Sequence, residues 1–385
     1  MKNPTHLFLL SLIILISVLM VSCDDDECDP MVDCPPTVDT AVVYTQTPYT
    51  LNLPAGIPNQ VIPADNPLTE EGVLLGRMLF YDPILSGDST QSCSSCHLQK
   101  NAFTDPRQFS PGIDGNLGKR NSMPLFNLSF GLNTRFTWDG NAPDLEAQAL
   151  EPIENPIEMH HSVEGAVERL KNHLDYPLLF GKAFNEEPSD ETLSKSLSQF
   201  MRSIVSFNSQ WDRWTTQGSG DFVDLDDPSD SLAWYGFTQV YNLETGLAGE
   251  AECIHCHGGI FFTEFSFKNN GLTDTDDAFG FPDLGLGGIT GDAFDNGLFK
   301  VPTLRNIALT APYMHDGRFE TLEEVVDHYS AGGHFSPTLS SELGSPFTSG
   351  EAINLSPGQK AALIAFLKSL TDSTLINNPA YSSPF

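Results

Sequence analysis

Apolar side chains return at helical spacing in four stretches of the chain. From Glu191 to Trp214, the residues Leu193, Leu197, Phe200, Met201, Ile204 and Val205 fall on one stripe, which predicts a helix with that face turned to a core. A second helix is predicted from Asn66 as its cap and Pro67 as its first residue, with Leu75 and Leu79 one turn apart. Ser356 before Pro357 opens a third through Leu363, Phe366, Leu367 and Leu370, and the fourth runs from Thr321 to Tyr329. No stretch is rich in strand signals, so the expected fold class is all-α with long loops.

The intervals between these helices read as linkers. Prolines and small polar residues from Thr37 to Pro67 predict a tether lying over the first domain, and the acidic Pro/Gly/Ser stretch after Trp214 marks a domain boundary. At the start, Lys2 precedes an apolar run from Leu7 to Val21, too short for a comfortable membrane span and of the length of a signal-peptide core. Met20-Val21-Ser22-Cys23 then resembles a lipoprotein cleavage site with Cys23 as the lipid anchor, although Met20 stands where Leu is usual. An ordinary cleaved signal peptide fits the same residues. The expected organisation is residues 1–22 as signal peptide, 23–65 as acidic, proline-rich tether, and two domains at 66–218 and 230–375. Such a protein is exported, to the periplasm or outer membrane, and the resemblance of Asp24-Asp25-Asp26-Glu27 to a surface-export tag leaves the cell surface open.

Charge narrows the partners. With 19 Lys and Arg against 51 Asp and Glu, the formal net charge of the 385 residues is −32. Nucleic acid and anionic membrane are poor partners for such a surface, so membrane contact is expected through the N-terminal lipid only, and a basic redox partner is accommodated more easily. The acids of Asp221–Asp230 and of the Gly/Asp-rich loop from Asn269 to Gly297 read as solvated surface.

The candidate chemistry lies in two copies of one signature, Cys93-Ser94-Ser95-Cys96-His97 and Cys253-Ile254-His255-Cys256-His257. In Cys-x-x-Cys-His the thiols take the vinyl groups of a haem as thioethers, and the histidine turns its imidazole onto the iron. A zinc ribbon would hold its cysteine pairs close in sequence, and a thioredoxin-like pair needs no histidine after the second cysteine. Two motifs therefore imply two covalently bound haem c groups and a pair of haem domains. Of the seven cysteines, Cys23 and four motif cysteines are thereby used, leaving Cys28 and Cys34 either to bridge or to remain unpaired.

Around these motifs, Arg120-Asn121, Phe136-Thr137-Trp138-Asp139-Gly140, Leu145-Glu146-Ala147-Gln148-Ala149, Asn155-Pro156-Ile157-Glu158-Met159 and Leu309 to Gly317 resemble the bacterial di-haem cytochrome c peroxidase family, which includes MauG. The resemblance runs from about Asn66 to the C-terminus. It implies that hydrogen peroxide binds the haem on Cys93, Cys96 and His97, with Glu158 as catalytic acid/base, since one carboxylate can take a proton from one oxygen and return it to the other. It also implies Trp138 as the indole between the haems and Gln148 in the peroxide pocket. A calcium ion would be held by Asn121, Thr310 and Pro312, whose oxygens are the hard donors calcium prefers. Family members are often dimers, which leaves a homodimer open.

Two departures from the commonest family pattern bear on the iron ligands. The loop Phe109 to Arg120 lacks the histidine that blocks the peroxide site in other members, so the first haem is expected to be five-coordinate or water-bound; His160 and His161 are the other histidines in reach by sequence. At the position fourteen residues after His315, where methionine is usual, stands Tyr329. The resemblance makes Tyr329 the second haem's far ligand, as in MauG, with Met314 the competing candidate and simple packing the other reading of Tyr329. Phenolate ligation favours ferric and higher iron states, whereas thioether sulfur raises the potential. The expected activity is reduction of peroxide to water with electrons from an external cytochrome or small redox protein. The alternative is a MauG-like enzyme that uses the same oxidising equivalents to modify a protein; a plain electron-transfer protein fits Glu158 poorly.

Overall fold

A computed structural model describes residues 42–130, 135–215, 221–241, 251, 253–343 and 352–385. The expected signal peptide, the anchor Cys23, the pair Cys28 and Cys34 and the start of the tether lie outside the described residues. Within them the chain is mainly helical, with one two-stranded ribbon, β1 (Phe267–Lys268) and β2 (Phe299–Lys300), paired antiparallel with Phe267 opposite Lys300. No helix among them is long and apolar enough to cross a membrane.

Helices α1 (Glu70–Tyr81), α2 (Leu145–Glu154), α3 (Val163–Lys171), α4 (Tyr176–Phe184) and α5 (Asp190–Ser203) surround the first hydrophobic core. The first helix starts later than Asn66 and Pro67 predict: Thr69 is the cap, its side chain accepting from Gly72 N, with Glu70 and Glu71 favourably placed in the first turn. Asn66 is instead buried. Its amide donates to Glu146 Oε1 at 2.7 Å and accepts from Gln199 Nε2 at 2.9 Å, fastening the incoming chain to α2 and α5. The contact of α1 with α5 is close because Gly72 and Gly76 face it; a Cβ at Gly76 would lie 1.9 Å from the carbonyl oxygen of Ser196.

The stripe predicted from Glu191 to Trp214 is two helices rather than one. After α5 the backbone is extended at Ile204, and α6 (Gln210–Thr215) follows. Asn127 explains the break: its N–H donates to Ile204 O, its amide donates to Ser206 O at 3.0 Å and it accepts from Ser206 N at 2.9 Å, so the backbone at the break is satisfied outside a helix.

A second core gathers Trp211, Tyr241, Phe262, Val326 and Phe366. Around it stand α7 (Pro228–Gly236), the short α8 (Ile254–His257), α10 (Leu322–Ser330) and α11 (Pro357–Ser369), while the short α9 (Gly287–Thr290) lies apart from both cores and α12 (Ser373–Asn377) packs on the side of the first. Thr321 and Ser356 cap α10 and α11 in capping boxes with Glu324 and Gln359, at the starts expected from sequence. Beyond Leu370 the chain crosses back. Leu375 and Tyr381 join the first core, and Tyr81 Oη donates to Tyr381 O at 2.6 Å.

Buried polar groups lock the two cores together. Arg305 pairs with Asp212 at 2.9 Å, donates twice to Ile260 O, and lies over the rings of Phe207 and Phe262. Asn306, Ser206 and Asp372 form a neighbouring closed set of hydrogen bonds. The closest approach yields a test: Gly76→Ala forces α1 away from the Ser196 backbone and lowers stability by about 1–3 kcal/mol. Urea unfolding measures it, and an unchanged midpoint contradicts the packing described.

Candidate haem sites

The first motif is a tight turn. Cys93–Ser95 form a 3-10 turn, with His97 N–H donating to Cys93 O at 3.0 Å, so both thiols and the imidazole leave one short stretch of backbone. The chain then doubles back through Ala102 and Phe103, both left-handed, and places Phe103 O 2.9 Å from His97 Nδ1. A carbonyl can only accept, so Nδ1 carries the hydrogen and Nε2 keeps its lone pair for a metal. Burial lowers the pKa of His97, which holds the ring in the neutral form that ligates.

The second motif repeats the device in α8. His257 Nδ1 lies 3.1 Å from Pro302 O and 3.3 Å from Phe262 O, Phe262 is again left-handed, and burial lowers the His257 pKa to about 4. Tyr241 Oη donates to His257 O. The turn residues Phe103-Thr104-Asp105 and Phe262-Thr263-Glu264 are a repeat in the sequence itself, and it was open to sequence reading.

Beside Cys93, Cys96 and His97 opens a cavity of about 930 Å³, whose walls include Glu158, Gln148, Trp138, Asn121 and His315. That volume suits a group of the size of a haem. With the two thiols and a neutral imidazole on its wall, the residues fit the cofactor.

Glu158 is positioned by the end of α2. Pro156 stops the helix, and the cap Asn155 then organises the turn: its carbonyl accepts from Glu158 N–H, its side-chain oxygen accepts from Ile157 N at 3.0 Å, and its amide donates to Glu158 Oε1 at 2.8 Å. The Glu158 side chain lines the cavity. Burial by the surrounding protein, with the charge of Glu151, pushes its pKa above the usual carboxylate range against the pull of Asn155.

The loop Phe109 to Arg120 lies directly on this turn. It folds back on itself through Gly112 N–H to Asn116 O and Gly118 N–H to Ser110 O, and Ile113 N–H donates to Glu158 O at 3.0 Å. Gly112 is needed there, since a Cβ would stand 1.7 Å from Ile157 O. His160 and His161 are outside the cavity lining: His160 Nδ1 meets Asp114 at 2.6 Å near the surface, and His161 Nε2 is buried without a hydrogen-bond partner.

Trp138 sits where the halves meet. Its indole donates to Asn121 O at 2.8 Å, its carbonyl accepts from Lys300 N, and Asn121 N–H donates to His315 O at 2.7 Å. His315 stacks on Phe299 with ring centres 3.6 Å apart. Arg120 spans the same seam, bound to Asp139 and by two 2.8 Å contacts to Asp283.

Tyr329, on α10, lies near Cys253 and Cys256, and burial pushes its phenol up to about 12. The amide of Asn270 lies 3.5 Å from Tyr329 Oη and 3.2 Å from Met314 Sδ, so both candidate far ligands converge on one amide that sequence reading passed over. For calcium, Asn121 and Thr310 are both buried, and the amide nitrogen of Asn121 is turned to the carbonyls of Arg107 and Gln108. Among the described residues no group of three or more His, Cys, Asp or Glu could hold a metal, so an ion there would depend on neutral oxygens.

Two half-buried, neutral histidines, each tied through Nδ1 and each following a cysteine pair, define a c-type haem protein. A profile described as di-haem cytochrome c peroxidase matches residues 70–220. The methylamine utilization protein MauG of Methylorubrum extorquens is 37% identical over 324 residues, 82% of each chain. Cytochrome c551 peroxidase of Nitrosomonas europaea is 34% identical over 274 residues, 71% of this chain and 77% of that one. The crystal structure of a MauG-like protein associated with microbial copper homeostasis superposes with a TM-score of 0.75 at 38% identity, covering 87% of this chain and 99% of that one. The chain belongs to the di-haem cytochrome c peroxidase family, which takes in both peroxidases and MauG. It is thereby a haem oxidoreductase of that family, and two haem c groups follow.

A haemochrome assay of the purified protein accordingly gives two c-type haems per chain, and Cys253→Ala with Cys256→Ala gives one. Retention of both haems in that variant contradicts the assignment.

Proposed function

We propose that the protein reduces hydrogen peroxide to water, taking two electrons from an external redox protein and two protons from solvent. The observation that supports this most is Glu158: an acid of raised pKa, held by Asn155, on the wall of the cavity that also holds His97. Haem held by Cys93, Cys96 and His97 would supply the redox chemistry of peroxide cleavage. Glu158 as carboxylate takes the proton from the near oxygen and, once protonated, gives it to the departing one. Gln148 lines the same pocket and orients the peroxide. Cys253, Cys256 and His257, with Tyr329, would hold the second haem, and Trp138 is the route by which electrons would pass from it to the peroxide site. Asn121, Thr310 and Pro312 hold a calcium ion at the seam beside that route. The loop Phe109 to Arg120 carries no histidine and is tied back onto the Glu158 turn, so the peroxide position stays open. The cavity-bearing part forms one haem domain and the part around Tyr241 the other, and the whole is exported on a lipid anchor at Cys23.

The MauG-like reading, oxidation of a protein instead of turnover of a donor, gains from Tyr329, whose phenol suits an oxidised second haem better than a thioether does. The two readings share the chemistry at Glu158.

Because Glu158 must begin as carboxylate and its pKa is raised, turnover rises with pH through a point above the ordinary glutamate value of about 4.3. In assays of peroxide-driven oxidation of a reduced cytochrome by the fully ferric enzyme, without reductive pretreatment, Glu158→Gln loses that limb and about 10²–10⁴ in rate. A variant keeping both would remove Glu158 from the chemistry. Tyr329→Met raises the potential of the second haem in a redox titration; an unchanged potential would mean that Tyr329 packs and does not ligate.

A further inference from the structure

The loop from Asn269 to Leu298 departs from an ordinary solvated acidic loop. It carries six aspartates and no lysine, arginine or histidine. Asp283 pairs with Arg120, while Asp274, Asp276, Asp277, Asp292 and Asp295 make no ion pair among the described residues. The same loop exposes large apolar side chains: Phe279 is 71% exposed, Phe294 83% and Ile289 40%. Its fold is compact, since Asn296 Nδ2 donates to Ala278 O at 2.8 Å and Thr290 Oγ1 to Asp295 Oδ2 at 2.7 Å, and Phe281 is turned inward. One phenylalanine is therefore used as the loop's own core while two are left to water. On its inner side the loop walls the cavity, through Thr273, Pro282, Asp283 and Leu284.

We propose that this loop is the docking surface for a basic redox protein, with Phe279, Ile289 and Phe294 as the apolar centre and the five free aspartates as the rim. An exposed apolar patch rimmed by polar residues marks an interaction site, and charge of one sign steers a partner of the other and sets its register. A second copy of this chain is disfavoured as occupant. Each copy carries a formal charge of −32, and a two-fold contact through the loop would set the aspartates against one another. Docked there, the partner lies against the wall of the cavity that Trp138 also lines. The inference rests on the proposed function only for the direction in which electrons move.

The test uses the holoprotein and a lysine-rich mitochondrial-type cytochrome c as probe, with calorimetric titration across ionic strength. Two variants alter the loop: Phe279→Ser with Phe294→Ser, and Asp274→Lys with Asp276→Lys. All four positions are exposed, so haem content and circular dichroism stay as in the parent. Binding at low salt is expected to weaken at least about tenfold in each, corresponding to about 1.4 kcal/mol, and the salt dependence flattens in the lysine variant. No binding by the parent, or binding by both variants as tight as the parent's, overturns the proposal. So does self-association that the Phe279→Ser, Phe294→Ser variant abolishes. Peroxide turnover with a small-molecule donor, run in parallel, separates the two claims: if it is absent while binding still depends on the loop, the proposed function fails and the docking surface stands.

Discussion

A half-buried imidazole that must stay neutral, with Nδ1 committed to a carbonyl and the Nε2 lone pair kept for a metal, is the constraint around which both halves are arranged. The hydrogen on Nδ1 of His97 is given to Phe103 O and that of His257 to Pro302 O and Phe262 O, and both phenylalanines are left-handed. Left-handed backbone is disfavoured for a residue with a β-carbon, so it persists only where surrounding packing fixes it. The cores do this: Phe103 is fully buried in the first and Phe262 in the second. Core packing therefore sets the tautomer of the residue that would meet the iron, and a loosened core would be felt first at Nε2.

The seam between the halves is built from backbone as much as from side chains. Trp138 is held by the carbonyl of Asn121, and the N–H of Asn121 is held by the carbonyl of His315. Three residues far apart in sequence are thus fixed by two bonds that no side-chain substitution at Asn121 or His315 removes directly. Arg120 adds a charged clasp across the same place, next to Lys300, whose ammonium burial lowers to about 8 and which donates to Arg135 O at 2.7 Å. Lys119, Arg120, Lys300 and Arg318 line this cavity together with Asp139, Glu151, Glu158, Asp283 and Asp316, so its charges are mixed and partly paired across the seam.

Local signals were readable where local interactions decide. Thr321 and Ser356 begin their helices as capping boxes because the cap and its Glu or Gln partner are three residues apart. Asn66 misled because an asparagine before a proline also suits a cap, while its amide is taken by Glu146 and Gln199, which only the fold brings near. The stripe from Glu191 continued through Ile204 because both its helix and the extended stretch after it face a core; the interruption is written in Asn127, far upstream. At the site, the cysteine pairs and their histidines were legible as motifs. Asn155, Gly112 and Asn270 were not, since each acts through a contact that depends on the folded chain.

On the proposed function, the cavity beside His97 keeps its far side free of a protein ligand, leaving Glu158 to work on what binds there. Low-temperature electron paramagnetic resonance of the fully ferric, untreated protein addresses it most directly. A high-spin signal from the first haem is expected alongside a distinct low-spin signal from the second. A low-spin, bis-histidine signal for the first haem, with the high-spin signal absent, would contradict it.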